Sequence, residues 1–170
     1  MPHKKRKPLV AVLDWKTAPS SNSGVDLETK VLGKSARVKY FLTDNESNFS
    51  PEILKADALI IWQNANITEN TISCLKNCRA LIRNGVGYDS VDIDAASRAG
   101  IPVCNVPDYG TEEVADHAIA LSLALTRQLF ALDAEAKKPG WKLVAKDKLR
   151  RTSTLTFGVI GLGRIGTATA

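Results

Sequence analysis

Five short apolar runs, each followed by a helical pattern or a turn signal, fill the first 108 residues of this 170-residue chain. Pro8 to Leu13 reads as a buried strand that ends at Asp14. Ala36 to Phe41, Ala56 to Trp62, Ala80 to Arg83 and Pro102 to Val106 read the same way. Helical patterns stand between them. Val25 to Leu32 is stopped by Gly33. Ser50-Pro51-Glu52 opens a short helix, with Ser50 as N-cap and Pro51 in the first turn. Thr68 caps a helix to about Lys76, and Val91 to Ala99 is closed by Gly100. Strands that are apolar throughout, rather than alternating, belong to a parallel sheet covered on both faces. With right-handed crossovers, residues 8–108 are expected to form an α/β, flavodoxin-like, doubly wound domain. No internal repeat or low-complexity segment interrupts it.

Composition narrows the class. Apolar residues make up 44% and charged residues 24% of the chain, a globular balance. No apolar run approaches the roughly 20 residues of a membrane helix, and no apolar segment follows Met1–Pro8 that could serve as a signal peptide. A cytoplasmic protein with no membrane partner is expected. The net charge of +5 comes largely from Lys4–Lys7 and from the basic stretch Lys142–Arg151. These read as a solvated tail (residues 1–7) and a solvated loop. The sharper alternative for the tail is a nuclear address; direct nucleic-acid binding is not expected. Cys74, Cys78 and Cys104 cannot all pair. Cys74 and Cys78, four apart in a helical pattern, would share a face, but the only histidines are the distant His3 and His117. Reduced, mostly buried thiols and no metal site are expected.

After residue 108 the pattern changes. Thr111 is expected to cap a long helix from Glu112 to about Ala134, with Glu112 and Glu113 complementing its dipole. Val114, Ala118, Leu121, Leu125, Leu129 and Leu132 form a stripe that Ile119, Leu123 and Phe130 widen. Such a helix should be buried between two bodies. Residues 109–135 then form a linker and 136–154 a basic loop. Leu155 to Ile160 reads as a strand that runs straight into Gly161-Leu162-Gly163-Arg164-Ile165-Gly166. This is G-x-G-x-x-G between a strand and a helix, the setting for dinucleotide binding. Gly161 permits the tight turn, Gly163 lets a pyrophosphate reach the backbone, and Gly166 lets helix and strand pack closely. Free N–H groups at the helix start then face the phosphates. The acidic residue that would hold the ribose belongs about 20 residues further on, so no residue present decides between NAD and NADP.

Taken in order, Asn84–Asp92, Gly100–Pro107, Thr111–Ala118 and Gly161–Gly166 resemble the D-isomer-specific 2-hydroxyacid dehydrogenases. The match is strong over residues 80–170 and one of pattern only before that. Val103-Cys104-Asn105-Val106-Pro107 and the opening Pro8–Asp14 look especially like the C-terminal-binding-protein branch, whose members are transcriptional corepressors. The resemblance implies that backbone N–H groups of Val86 and Gly87 hold the carboxylate of a small 2-hydroxy or 2-keto acid. Arg83 stands where some members bring a guanidinium to that carboxylate. Val114 matches a residue lining the nicotinamide, and Gly161 to Gly166, with Leu162, Arg164 and Ile165 between the glycines, match the pyrophosphate loop of a truncated Rossmann domain over 155–170. The family's catalytic arginine, acid and histidine would lie beyond Ala170, so no catalytic residue is assigned in this chain, and His117 reads as structural. The expected function is hydride transfer between NAD and D-2-hydroxy acids, in a homodimeric full-length protein. The alternative is an NAD-responsive corepressor platform. A lone Rossmann strand lacks partners, so the chain by itself is expected to bind NAD poorly, to turn nothing over, and to be partly disordered or aggregation-prone over 109–170.

Overall fold

The computed structural model describes residues 6–14, 27–43, 45–62, 65–140 and 149–170. Five parallel strands form one sheet in the order β2-β1-β3-β4-β5: β1 (Leu9–Asp14), β2 (Arg37–Leu42), β3 (Ala58–Ile61), β4 (Leu81–Arg83) and β5 (Val103–Cys104). The flavodoxin-like order expected from the alternation is present. β1 carries no charge before Asp14 and is buried along its whole length, as a strand with neighbours on both sides requires. Leu9 pairs with Arg37 on one flank, and Val10 with Ala58 on the other. β3 and β4 align Leu59 with Leu81 and Ile61 with Arg83. Odd-numbered β1 residues Leu9, Ala11 and Leu13 join Leu59, Ile61, Leu81, Ile53, Ile67 and Ile72 in one core cluster. Val10 and Val12, on the opposite face, are buried as well, so both faces are covered.

Local chemistry closes the open ends. The Asp57 carboxylate accepts the Leu9 N–H at 2.6 Å and pairs with Arg6 at 3.0 Å, which satisfies the first donor of β1. β2 is an edge strand and presents Arg37 and Lys39, both ion-paired with Glu52; charge on an edge opposes pairing with another chain. The crossover helices are α1 (Leu27–Leu32), α2 (Pro51–Leu54), α3 (Glu69–Cys74) and α4 (Ile93–Arg98). Ser50 caps α2 as expected. Asp92 caps α4, its carboxylate accepting the Ala95 N–H at 2.9 Å, so that helix starts later than Val91. Gly100 follows α4 with φ +69°, the left-handed turn a C-terminal glycine provides.

Several expectations are corrected. Thr68 precedes α3 but makes no cap bond with its side chain; Glu46 supplies that cap from another segment. α3 ends at Cys74, so Cys78 lies outside it, and the two cysteines do not share a helix face. Only Cys78 is buried, while Cys74 and Cys104 are exposed. β5 is two residues long rather than five, because pairing with β4 covers only Leu81–Val103 and Ile82–Cys104.

The chain separates into two compact units at the step from Tyr109 to Gly110. In the second, Gly110 is the N-cap and Thr111 the first helical residue of α5 (Thr111–Thr126). The expected continuous helix is broken: Gln128 takes φ +52°, and α6 (Leu129–Ala136) starts afresh. The stripe expected to be buried is largely exposed, with Leu125 at 70% and Leu121, Leu123, Leu129 and Phe130 all open. Leu155 to Ile160 forms no ladder, because no described strand lies beside it to accept or donate the bonds. α7 (Arg164–Thr169) packs against α5. Residues 141–148, which include part of the expected basic loop, lie outside the described residues. Among the described residues no helix is long and apolar enough to cross a membrane.

Candidate functional site

In a sheet of this order, ligands bind outside the carboxyl ends of the strands, near the point where strand order reverses. The unsatisfied polar atoms of the sheet unit mark that edge. Trp62 Nε1, Arg83 Nε and Nη1, and Ser90 Oγ are buried with no hydrogen-bond partner among the described residues. Trp62 follows β3, Arg83 ends β4, and Ser90 lies in the loop after β4. Buried polar atoms without partners are uncommon in folded proteins, and here they gather where a ligand would sit.

The loop after β4 is held by its carbonyls. Asn84 N–H donates to the Ile61 carbonyl at 2.8 Å, which carries the β3–β4 pairing one residue further. The Gly85 carbonyl accepts from Val106 N–H at 3.0 Å, and the Val86 carbonyl accepts from Asn105 Nδ2 at 2.8 Å. A trans peptide sets its N–H opposite its C=O. With both carbonyls turned to the segment after β5, the N–H groups of Val86 and Gly87 point away from it, and neither has an acceptor among the described residues. Two successive free amides make an anion-binding concavity. A Cβ on Gly87 would lie 3.0 Å from Asp89 Oδ1, tighter than an ordinary contact. Asn105 and Val106, which turn the loop, were read from the sequence only as strand and family-motif residues; a polar residue directly after a strand carries no local signal of a partner nineteen residues away.

Arg83 lies against this loop, its Nη1 within 2.5 Å of the position a Cβ on Gly85 would take. Arg83 thus lies beside Gly85, in the loop that also carries Val86 and Gly87. A cleft of about 390 Å³ runs along the edge strand nearby, lined by Tyr88, Ile93, Ser97 and residues Ile101–Asn105.

The second candidate element belongs to the other unit. Gly161 has φ +93°, a turn that a side chain would strain. Gly163 is the N-cap of α7, with nothing within 4 Å of where its Cβ would be. Gly166 is the reverse case: a Cβ would collide with the carbonyl oxygen of Gly161 and lie 3.5 Å from Val159 Cγ1. The ladder of α7 begins with Thr167 N–H donating to Gly163 O at 2.9 Å, and the N–H groups of Arg164, Ile165 and Gly166 ahead of it are unpaired within the helix. Tight turn, open approach and close packing thus stand at the three glycines in the order that a pyrophosphate requires. Leu162 is exposed, with its carbonyl accepting from Thr167 Oγ1 at 3.2 Å. Val114 is half exposed in the first turn of α5. His117 is exposed on α5, with no ion-pair partner among the described residues. Among the described residues no cluster of three metal-ligating side chains exists, and burial pushes the Cys78 thiol up, away from a reactive thiolate.

Comparison with known proteins follows the same lines. The family model "D-isomer specific 2-hydroxyacid dehydrogenase, catalytic domain" matches residues 16–169. A D-3-phosphoglycerate dehydrogenase of Mycobacterium tuberculosis is 32% identical over 161 residues, covering 94% of this chain and 28% of that protein. That of Archaeoglobus fulgidus is 35% identical over 150 residues, covering 87% and 27%. The chain thus spans little more than a quarter of the length of these relatives. Among solved structures, D-lactate dehydrogenase from Aquifex aeolicus, complexed with NAD and lactic acid, matches with TM-score 0.79 and 28% identity over 94% of this chain and 46% of that one. An acyclic imino acid reductase matches in fold with TM-score 0.80 at 22% identity, covering 95% and 51%. These relatives bear the names of enzymes and lend no support to the corepressor alternative.

Proposed function

The chain belongs to the D-isomer-specific 2-hydroxyacid dehydrogenase family, and from that premise we propose that it supplies the carboxylate loop and the pyrophosphate turn of an NAD-dependent oxidoreductase acting on the CH–OH group of D-2-hydroxy acids. The observation that carries the reading is the pair of amides at Val86 and Gly87, unpaired among the described residues, set beside a guanidinium whose Nε and Nη1 lack acceptors there. A short carboxylic acid provides what all of them lack. Its carboxylate takes hydrogen bonds from Val86 and Gly87, while Arg83 adds a fixed positive charge and a planar fork. The glycine turn suits a dinucleotide: Gly163 leaves the approach open, Gly166 holds α7 against the turn, and the amides of Arg164 and Ile165 are free to donate. Bound there, NAD would take up or return the hydride; Val114 is the residue we assign to line the nicotinamide.

In this reading residues 8–108 form the substrate domain, 109–135 the linker, 136–154 a loop, and 155–170 the opening of the cofactor domain. The chain's own part is to bind and orient. No histidine stands on the carboxylate loop, and we assign proton transfer to no residue of this chain.

The test is NADH consumption by the complete protein carrying this sequence, against glyoxylate, hydroxypyruvate and other short 2-oxo acids. Turnover is expected, with Arg83→Ala lowering kcat/KM by about a hundredfold, near the worth of a charged hydrogen bond. A protein inert toward every such acid, or indifferent to Arg83→Ala, would count against the reading.

A further inference from the structure

Gly85 stands inside the carboxylate loop, yet its backbone does not explain why it is glycine. Its φ lies outside the left-handed region, which among the glycines described is reserved for Gly100, Gly140 and Gly161. What Gly85 provides is space. A Cβ at this position would sit 2.5 Å from Arg83 Nη1, 3.2 Å from Cζ and 3.4 Å from Nη2. The guanidinium reaches the space over the residue two places after its own. The same loop turns through a bond from Gly85 N–H to the Arg83 carbonyl at 2.9 Å, so backbone and side chain of Arg83 both close on Gly85.

We propose that Gly85 is a positioning residue: the missing side chain is the seat in which Arg83 is held ready for an anion. The proposal rests on the substrate reading above and deepens it. Two donors of the Arg83 guanidinium are buried without acceptors among the described residues, a costly state for a cationic group. A carboxylate drawn to the free amides of Val86 and Gly87 arrives beside that charge and relieves it. The fork is placed before the ligand comes, so its ordering is not charged against binding. Seat, charge and amides all lie within Arg83–Gly87. A Cβ at 85 meets only the far end of a flexible side chain, so Gly85→Ala should move the guanidinium and leave the fold intact.

The experiment titrates the nitrogen-labelled chain with oxamate at fixed ionic strength and follows the Val86 and Gly87 amides and Arg83 Nε. Wild type, Gly85→Ala, Arg83→Ala and the double variant are compared. Gly85→Ala is expected to weaken oxamate binding by about tenfold, since misplacement by an ångström is costly at such sites. In the Arg83→Ala background the same change should cost less than about twofold, the mark of residues that act as a unit. Equal losses in both backgrounds, or none in either, would overturn the positioning role while leaving the substrate reading in place. Failure of oxamate to shift Val86 or Gly87 in the wild type would instead remove the substrate reading, and the positioning role with it. A wild-type measurement independent of any variant is the nuclear Overhauser contact between Gly85 Hα and the Arg83 side chain; its absence would overturn the seat.

Discussion

Gly166 has no room for a side chain, and the obstacle is backbone: the carbonyl oxygen of Gly161 occupies the space. Nothing flexible can give way there. In the complete protein carrying this sequence, Gly166→Ala is expected to force α7 off the turn and to lower NAD affinity at least about tenfold, while the melting of the sheet unit stays unchanged; isothermal titration with NAD beside circular dichroism checks both halves. Asn105 acts at the other candidate element. Asn105→Ala removes an exposed bond to the Val86 carbonyl, which should cost little stability but blur the direction in which the Val86 and Gly87 amides point. Weaker oxamate binding with little change in denaturant midpoint is the expected result. The pyrophosphate glycines could be read from sequence because each answers to a local steric need at a set spacing. Gly85 and Asn105 could not, since their importance depends on where a guanidinium and a distant carbonyl come to rest.

Helix ends show how far local chemistry reaches. Ser50 and Asp92 cap α2 and α4 from within their own segments, and Asp92→Ala should cost about 1 kcal/mol. α3 is capped from a distance: Glu46, in the 3₁₀ turn Glu46–Asn48, accepts from Thr68 N–H at 2.9 Å and from the hydroxyls of Thr68 and Thr71 at 2.6 Å each. Burial alone would raise the Glu46 carboxyl, but these three bonds outweigh it and hold it below its ordinary 4.5. A carboxylate with a depressed native pKa adds stability that is full above the unfolded value and fades as pH falls through the native one. Unfolding midpoints of wild type should therefore drop more steeply below about pH 4.5 than those of Glu46→Gln, and the two curves should converge in acid; parallel curves would show that the cap carries no charge-dependent stability. Nothing near Thr68 announces this partner, because Glu46 lies 22 residues earlier. The break between α5 and α6 was equally hidden. Arg127 and Gln128 are ordinary helix formers, and the left-handed Gln128 is a conformation that propensity does not favour.

At the scale of the molecule the two units differ in kind. The core cluster lies wholly between Leu9 and Ile101, so residues 1–109 made alone should unfold in one cooperative step. Leu59, fully buried in it, should cost about 2–5 kcal/mol when cut to alanine. Among the described residues, the unit from Gly110 to Ala170 keeps only Ala115 and Ala124 as buried apolar residues, against a long roll of exposed leucines. It should accordingly bind an apolar dye and protect its amides from exchange far less than the sheet unit; equal protection in the two units would contradict this.

The number of strands in the first unit, their parallel direction and the glycine turn were determined by the sequence alone, because each rests on neighbours along the chain: apolar runs that must be covered, breakers between them, and missing side chains at fixed steps. The tertiary structure alone decided which strand ladders form, where the long helix breaks, that Glu46 caps α3, and that Arg83 settles over Gly85. Those outcomes depend on which distant group arrives to fill a hydrogen bond or an empty volume, and sequence separation does not encode distance in space.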